Sequence, residues 1–394
     1  MSRLEEFLKK ECPDGVEYKQ IKDIAKINRG IIISKKYIEE NKGDYPVYSS
    51  QTENNGELGR INNYAYDGEY LTWTTDGANA GSVFYRNEKF NITNVCGLIK
   101  ITEDNIITKF VYYILHIYAP KYVNRGMGNC KLMSNVMESI SIPIPPIEVQ
   151  EEIVGILDTF TKYQDLLNRE LELRKKQYEY YRDKLLTFGD EVEYKTVGDV
   201  GLVTKLAGFE FTKYVTYSNK GKIIALRGLN VKNGRLNLDE VKYIDESDLT
   251  KLTRSKLYID DMLFTYVGTI GEVALIDEND KYYLAPNVAL IRFDKKLILP
   301  KFMIYYFQSK IFFNTQINKL LQSSSMKNIP MEKIRKFLVP IPPLEEQERI
   351  VKILDQFDTL CNDITKGLPA EIEMRKKQYE YYRDKLLTFK EKKI

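Results

Sequence analysis

Residues 142–160, IPIPPIEVQEEIVGILDTF, and residues 339–357, VPIPPLEEQERIVKILDQF, agree at 13 of 19 positions at an offset of 197. Residues 174–188 and 375–389 then both read RKKQYEYYRDKLLTF, 15 identities in 15, at an offset of 201. A repeat of this length constrains the fold more than any other feature, because each copy must be one structural unit used twice. A weaker match pairs Val16-Glu17-Tyr18-Lys19 and Asp23 with Val192-Glu193-Tyr194-Lys195 and Asp199, so the units begin near residues 15 and 191. The chain has 394 residues, more than the ~250 to 300 that one core sustains. The expected plan is a helical lead-in (1–14), a variable domain (15–143), a helical region (144–190), a second variable domain (191–340) and a second helical region (341–394).

The copied segments carry a helical period. Positions 153, 157, 160, 164, 167, 171, 174, 178, 181, 185 and 188 alternate steps of four and three, and all but Gln164 and Arg174 are apolar or tyrosine. The second copy keeps the pattern from Ile350 through Leu354, Phe357, Cys361 and Ile364, then resumes at Arg375, Tyr379, Tyr382, Leu386 and Phe389. Four extra residues lie between these blocks, a stutter that locally unwinds a coiled coil without turning its seam away. Gly367 and Pro369 fall there, so a kink or short break is expected, with Pro369 near the first turn of the resumed helix. Pro145-Pro146 and Pro342-Pro343 should end the preceding strands, and glutamates at 148, 151, 152, 345, 346 and 348 suit the positive end of a helix dipole.

A helical region of about 40 residues would run roughly 60 Å, longer than a domain is wide. Two such near-copies with apolar seams are most economically satisfied as an antiparallel pair with a pseudo-twofold axis. The fold class expected is therefore α+β: two mixed α/β domains separated by two long antiparallel coiled-coil helices. Leu157, Phe160, Leu167, Tyr178, Tyr181, Leu185, Leu354, Phe357, Tyr379, Tyr382 and Leu386 are the candidates for helix pairing or partner docking. The plainer alternative is that each helix packs its stripe on its own domain.

The variable domains share only landmarks. Gly77, Gly81, Val83 and Asn94-Val95 in the first answer to Gly268, Gly271, Val273 and Asn287-Val288 in the second. They read as one fold with two surfaces, built from short alternating runs such as residues 70–75 and 262–266 with long polar loops. Each ends in an apolar helix-like stretch (110–122; 302–313), a polar loop (124–131; 320–328) and a strand into the prolines. Residues 15–146 carry 15 basic and 14 acidic groups, net +1, whereas residues 191–343 carry 23 and 17, net +6. That surplus permits phosphate contact without proving it, since charge runs are usually solvated faces. Loops of Ser, Thr, Gln, Asn and Lys offer the donors and acceptors that base edges require, Asn or Gln suiting adenine and Arg or Lys guanine. Candidate DNA contacts in the first domain are Lys35, Lys36, Ser50, Gln51, Asn54, Arg60, Thr74, Asn79, Arg125, Asn129 and Lys131. In the second they are Arg227, Lys232, Arg254, Lys256, Thr269, Gln322, Ser324, Lys327 and Asn328. Polar loops occur on any globular surface, so a scaffold whose variable domains bind proteins remains the competing reading.

Enzymatic constellations are scarce. The one histidine, His116, sits in an apolar stretch and reads as a packed or half-exposed helix residue, which argues against histidine metal sites and triad hydrolases. Neither a GxxxxGK[ST] phosphate loop nor a GxGxxG dinucleotide turn is present. Carboxylates such as Asp260-Asp261, or Asp277 with Asp280, read as turn or surface groups. Four widely spaced cysteines, Cys12, Cys96, Cys130 and Cys361, form no CxxC pair and suit reduced thiols rather than a zinc cluster. No run approaches ~18 apolar residues, and with no apolar signal core in MSRLEEFLKKE a cytoplasmic protein is expected.

The PIPP-x-E-x-Q-E segments at 143–151 and 340–348, the RKKQYEYYRDKLLTF pair and the two glycine turns followed by Asn-Val resemble the specificity subunit of a Type I restriction-modification system, from about residue 15 to 389. The resemblance implies a DNA-binding subunit without catalysis of its own, with each variable domain a target-recognition domain for one half of a split site. It implies that the helices fix the unread spacer and dock two methyltransferase subunits, with restriction and translocase subunits joining the complex. No metal or cofactor is expected in this chain; S-adenosylmethionine, ATP and magnesium would belong to the partner subunits.

Overall fold

The computed structural model describes residues 10–126, 129–206, 213–322 and 328–392. The expected lead-in helix falls mostly outside these residues. The chain divides into two compact units, residues 1–166 with 373–394, and residues 167–372.

In unit 1 the principal elements are β1 (Glu17–Gln20), β2 (Ala25–Arg29), β3 (Lys42–Tyr48), β4 (Glu57–Ile61), β5 (Tyr66–Thr74), β6 (Val83–Ile92), β7 (Cys96–Ile101), α1 (Thr108–Tyr118), β8 (Ser141–Ile144) and α2 (Ile147–Leu185), whose second half belongs to unit 2. Unit 2 continues with β9 (Tyr194–Thr196), β10 (Gly201–Lys205), β11 (Ile224–Leu226), β12 (Val231–Lys232), β13 (Arg235–Leu236), β14 (Met262–Thr265), β15 (Val273–Leu275), β16 (Tyr282–Leu284), β17 (Val288–Phe293), α3 (Pro300–Phe307), β18 (Leu338–Pro340), α4 (Leu344–Asn362) and α5 (Leu368–Leu386).

The sequence landmarks become the same strand pairing twice. β1 runs antiparallel to β8 with Glu17 opposite Ile144, and β9 antiparallel to β18 with Tyr194 opposite Pro340. The strand that opens each domain thus pairs with the one that closes it, just before the prolines. The sheets also match: β2-β7-β5-β6 in unit 1 and β10-β17-β14-β15 in unit 2 have the same order. Unit 1 extends its sheet with β3-β4, whereas unit 2 carries a parallel pair, β11-β16, and a hairpin, β12-β13. The divergence of the two surfaces lies in these additions.

Core packing explains why equivalent positions differ. Trp73 is fully buried opposite Gly97, where a Cβ would stand 2.2 Å from its ring atoms. The corresponding pair in unit 2 is Phe264 opposite Ala289, so a smaller ring faces a larger neighbour and the layer keeps its volume. Both faces of β14 are covered: Met262 and Phe264 enter one core and Leu263 another. His116 is exposed on α1, its ring 5.9 Å from that of Tyr112.

The break expected at Gly367 and Pro369 is present, and two other expectations need correction. The second helical region is two helices, because the chain leaves helical geometry at Asp363 and resumes at Leu368. A Cβ on Gly367 would lie 2.3 Å from the Thr359 carbonyl oxygen, so only glycine fits this turn, and Pro369 occupies the first turn of α5. The apolar stretch 302–313 is likewise broken after Phe307, where Ser309 caps a new turn. Asp261 is not a surface group: it is buried and accepts both guanidinium hydrogen bonds of Arg292 at 2.6 Å.

Within each unit the helical segments run antiparallel. In unit 1 Phe160 lies 6.4 Å from Tyr379 and 5.6 Å from Tyr382, while Arg375 stands over Tyr163 at 5.3 Å. In unit 2 Phe357 lies 6.1 Å from Tyr178 and 5.6 Å from Tyr181. These are repeat-equivalent contacts, one phenylalanine against two tyrosines. The seam serves the domains as well: Leu157 and Leu386 enter the core of unit 1, and Leu354, Tyr178 and Leu185 that of unit 2. Leu167 is also buried. Helix pairing and packing on the domain are therefore both satisfied by one stripe.

Candidate nucleic-acid interface

The glycine turns are built alike. Thr74 donates its hydroxyl to the Asn79 carbonyl and accepts from the Ser82 amide at 3.1 Å, and Gly81 N donates to Thr74 O at 2.9 Å. Thr265 donates to the Thr269 carbonyl, accepts from Glu272 N at 3.0 Å, and receives Gly271 N at 3.0 Å. Gly77, Gly81, Gly268 and Gly271 all have φ between 78° and 95°, where a side chain is strained. Thr74, a candidate for DNA contact, is fully buried with its hydroxyl spent inside the turn, so it shapes the turn and cannot reach a base.

In unit 1 two candidate loops and the Asn94-Val95 segment converge on this turn. The Asn79 amide donates to the Thr52 hydroxyl at 2.9 Å, which joins the 49–56 loop. Gly77 N donates to Cys130 O at 3.0 Å and Leu132 N to Thr75 O at 2.8 Å, which joins the 124–131 loop, itself closed by paired bonds between Asn124 and Lys131. The Val95 carbonyl accepts from the Thr75 amide at 3.2 Å and the Thr75 hydroxyl at 2.9 Å. The resulting rim exposes Asn54, Asn55, Asn79, Asn94, Arg125, Asn129 and Lys131. Ser50 and Gln51 are half-buried there, and Gln51 donates to the Glu57 carbonyl. Arg60 stands on β4 instead, held by Glu57 at 2.8 and 3.0 Å and by the Asp44 carbonyl at 3.0 Å.

Beneath the 49–56 loop lies Arg86, 1% exposed, a residue that sequence reasoning missed. Its guanidinium stacks 3.5 Å from the Tyr48 ring centroid and donates to the Thr72 hydroxyl at 3.2 Å and the Asn55 carbonyl at 2.7 Å. Asn54 and Asn55 both hold left-handed backbone, φ 48° and 56°, and the arginine fixes that conformation from below. Burial holds its pKa below the usual arginine value, with Tyr48 opposing the shift.

Unit 2 repeats the rim with different chemistry. Ile329 N donates to Tyr266 O at 2.9 Å and Asn328 bridges Val267, the counterparts of Leu132 with Thr75 and Lys131 with Asp76. The β12–β13 hairpin joins the turn through Asn233 N to Glu272 at 2.6 Å and Gly234 N to Val273 O at 3.0 Å; Lys232 on the hairpin and Thr269 in the turn are both exposed. Arg227 follows β11 and is half-buried, donating to the Glu240 carbonyl at 3.1 Å. Arg254 and Lys256 lie elsewhere: Lys256 bridges Tyr283 and pairs with Asp280 at 2.5 Å, at the opposite end of β16 from Asn287. Ser324, Lys327 and the Gln322 side chain lie outside the described residues.

A clamp ties each domain to its helix, and it too escaped the sequence. Gln150 is fully buried; it accepts from Ile107 N at 2.9 Å and donates to Pro145 O at 2.9 Å and Asn105 O at 3.1 Å. Gln347 repeats this with Leu299 N at 2.8 Å, Pro342 O at 2.9 Å and Leu297 O at 2.9 Å. Two turns on, Asp158 receives Lys109 and Tyr113, each at 2.6 Å. Asp355 receives Lys301 at 2.8 Å and Tyr305. The signal was legible: Lys-Phe-x-x-Tyr occurs at 109–113 and 301–305, and both Gln and Asp are identical in the repeat.

Outside the seam, Leu173 and Tyr180 are 56% and 60% exposed, and their repeat equivalents Met374 and Tyr381 are 58% and 61% exposed. These matched apolar faces were not among the docking candidates, which are mostly turned inward. Among the described residues no helix is long and apolar enough to cross a membrane.

A family profile described as the Type I restriction modification DNA specificity domain matches twice, at residues 13–174 and 189–374. A Mycoplasma pneumoniae protein named as a type I specificity subunit is 34% identical over 380 residues, covering 94% of this chain and 97% of its own. The MpnII type I restriction enzyme specificity subunit of that organism is 48% identical over 176 residues, 44% of this chain and 53% of that protein. A solved structure described for complex assembly and conformational transition of the type I R-M system has a TM-score of 0.62 at 11% identity, covering 95% of this chain and 98% of that one. The crystal structure of an S subunit from M. genitalium has a TM-score of 0.54 at 14% identity, covering 94% and 95%. At these identities the two structures establish likeness of fold.

Proposed function

The chain belongs to the type I restriction-modification DNA specificity family, and from that premise we propose that it is a subunit without catalysis of its own whose two recognition domains each read one half of a split DNA site. The observation that carries this reading is the same four-strand order in both units, with surfaces that differ at the rim of the glycine turn. Base contacts in a major groove are assigned to Asn54, Asn79, Asn129 and Lys131 in the first domain and to Lys232, Thr269 and Asn328 in the second, a reading supported by their exposed or half-buried positions on the loops around the glycine turns. The matched faces at Leu173-Tyr180 and Met374-Tyr381 suit two copies of one partner, the methyltransferase subunit. S-adenosylmethionine would enter with it, and ATP and magnesium with the restriction and translocase subunits. Selection from randomised duplexes by the complex with methyltransferase should return two separated sequence blocks. A scaffold for proteins would return no sequence.

The helices act in this reading as the ruler. Removing one helical turn shortens a helix by about 5.4 Å, one to two base-pair steps of ~3.4 Å, and rotates one reader about the duplex. Deleting residues 367–370 removes the extra length of the second copy, and we expect assembly and both sequence blocks to persist while the preferred spacer changes. Methylation mapping reads the outcome. An unchanged spacer at full activity would place the turn at Gly367 outside the ruler.

A further inference from the structure

Residues 24–38 contain four cations, Lys26, Arg29, Lys35 and Lys36, and no carboxylate. At the centre of this segment Ile31 and Ile32 are 72% and 82% exposed. Isolated exposed apolar residues need no explanation, but two adjacent β-branched side chains flanked in sequence by cations form a surface with a defined chemistry. The next residue, Ile33, packs against the small core of Ile38, Val47 and Ile61, so the loop is anchored there and presents the two isoleucines ahead of it. Its position follows from the backbone. Ile31 bridges Thr93, Gly30 N donates to Cys96 O at 3.4 Å, and a Cβ on Gly30 would lie 2.1 Å from the Ile92 carbonyl oxygen. The same 93–96 turn holds Thr75 through Val95, so the tip is continuous with the rim that carries Asn79 and Lys131.

We propose that the Ile31–Ile32 tip makes an apolar contact with the bases of the first half-site, with Arg29, Lys35 and Lys36 on the flanking phosphates. The proposal rests on the DNA-reading function above and names the chemistry of its first domain. DNA offers two apolar groups to such a tip, the thymine methyl in the major groove and the face of an opened base step. The lysines supply the long-range term; Lys36 has only an exposed partner, Glu40 at 3.7 Å, which it can exchange for a phosphate.

The test compares Ile31→Ser with Ile32→Ser as a double variant, and Lys35→Ala with Lys36→Ala, in the complex with methyltransferase subunits, measuring affinity for the selected duplex across salt concentrations. The serine variant should bind about tenfold or more weakly at every salt concentration with an unchanged salt slope. The lysine variant should lose about 0.9 of slope per phosphate contact. Uracil in place of thymine, weakening the wild type and not the serine variant, identifies a methyl contact; 2-aminopurine fluorescence that rises only with the wild type identifies an opened step. Unchanged affinity of the serine variant overturns the proposal, as does lost assembly with intact DNA binding, which would assign the tip to a protein partner. A wild-type complex that selects no duplex refutes the reading on which the proposal stands.

Discussion

Replacing Gln150 by leucine is expected to destabilise unit 1 by about 3 kcal/mol, and replacing Gln347 by leucine to do the same to unit 2. Each glutamine is fully buried and satisfies one backbone amide and two backbone carbonyls. Leucine fills most of the volume, so the loss is not one of packing. It comes from three peptide groups left without partners where water has little access, each costing about 1 to 3 kcal/mol before relaxation. Hydrogen exchange under mild denaturant should show Gln150→Leu speeding exchange in unit 1 and Gln347→Leu in unit 2, with the two effects adding in the double variant. Equal loosening of both units by either change would mean that the clamps do not act on their own domains.

The sequence made the repeat, its helical period and the interruption at Gly367 legible, because these depend on local rules: heptad spacing, left-handed turns and the position of proline. The strand pairing of β1 with β8 could also have been read, since both members recur together in the second copy. Burial was not legible. Thr74 looked like a surface hydroxyl in a polar turn and is the turn's internal ligand; Asp261 looked like one of a surface pair and is buried against Arg292. Arg86 gave no pattern at all, because its partners Tyr48, Thr72 and Asn55 come from three separate segments. The outward faces of the helices were missed for the opposite reason. Leu173 and Tyr180 stand off the heptad seam, where the periodic signal that marks buried positions is silent.

Exchanging residues 15–143 for the corresponding domain of another family member should replace one half of the DNA site completely and leave the other half unaltered. The structure provides for the exchange at its boundary. The clamp partners on the domain side, Asn105, Ile107, Lys109 and Tyr113, have equivalents at Leu297, Leu299, Lys301 and Tyr305 of the second domain, so two dissimilar domains already seat on the same helix chemistry. What differs between them is the added strands and the rim loops, and both are replaced by the exchange. The direct measurement is methylation mapping of DNA modified by the exchanged subunit in complex with its methyltransferase. The expected result is a new first block with the second block and the spacer unchanged; alteration of both blocks, or of neither, would contradict two independent readers on one repeated scaffold.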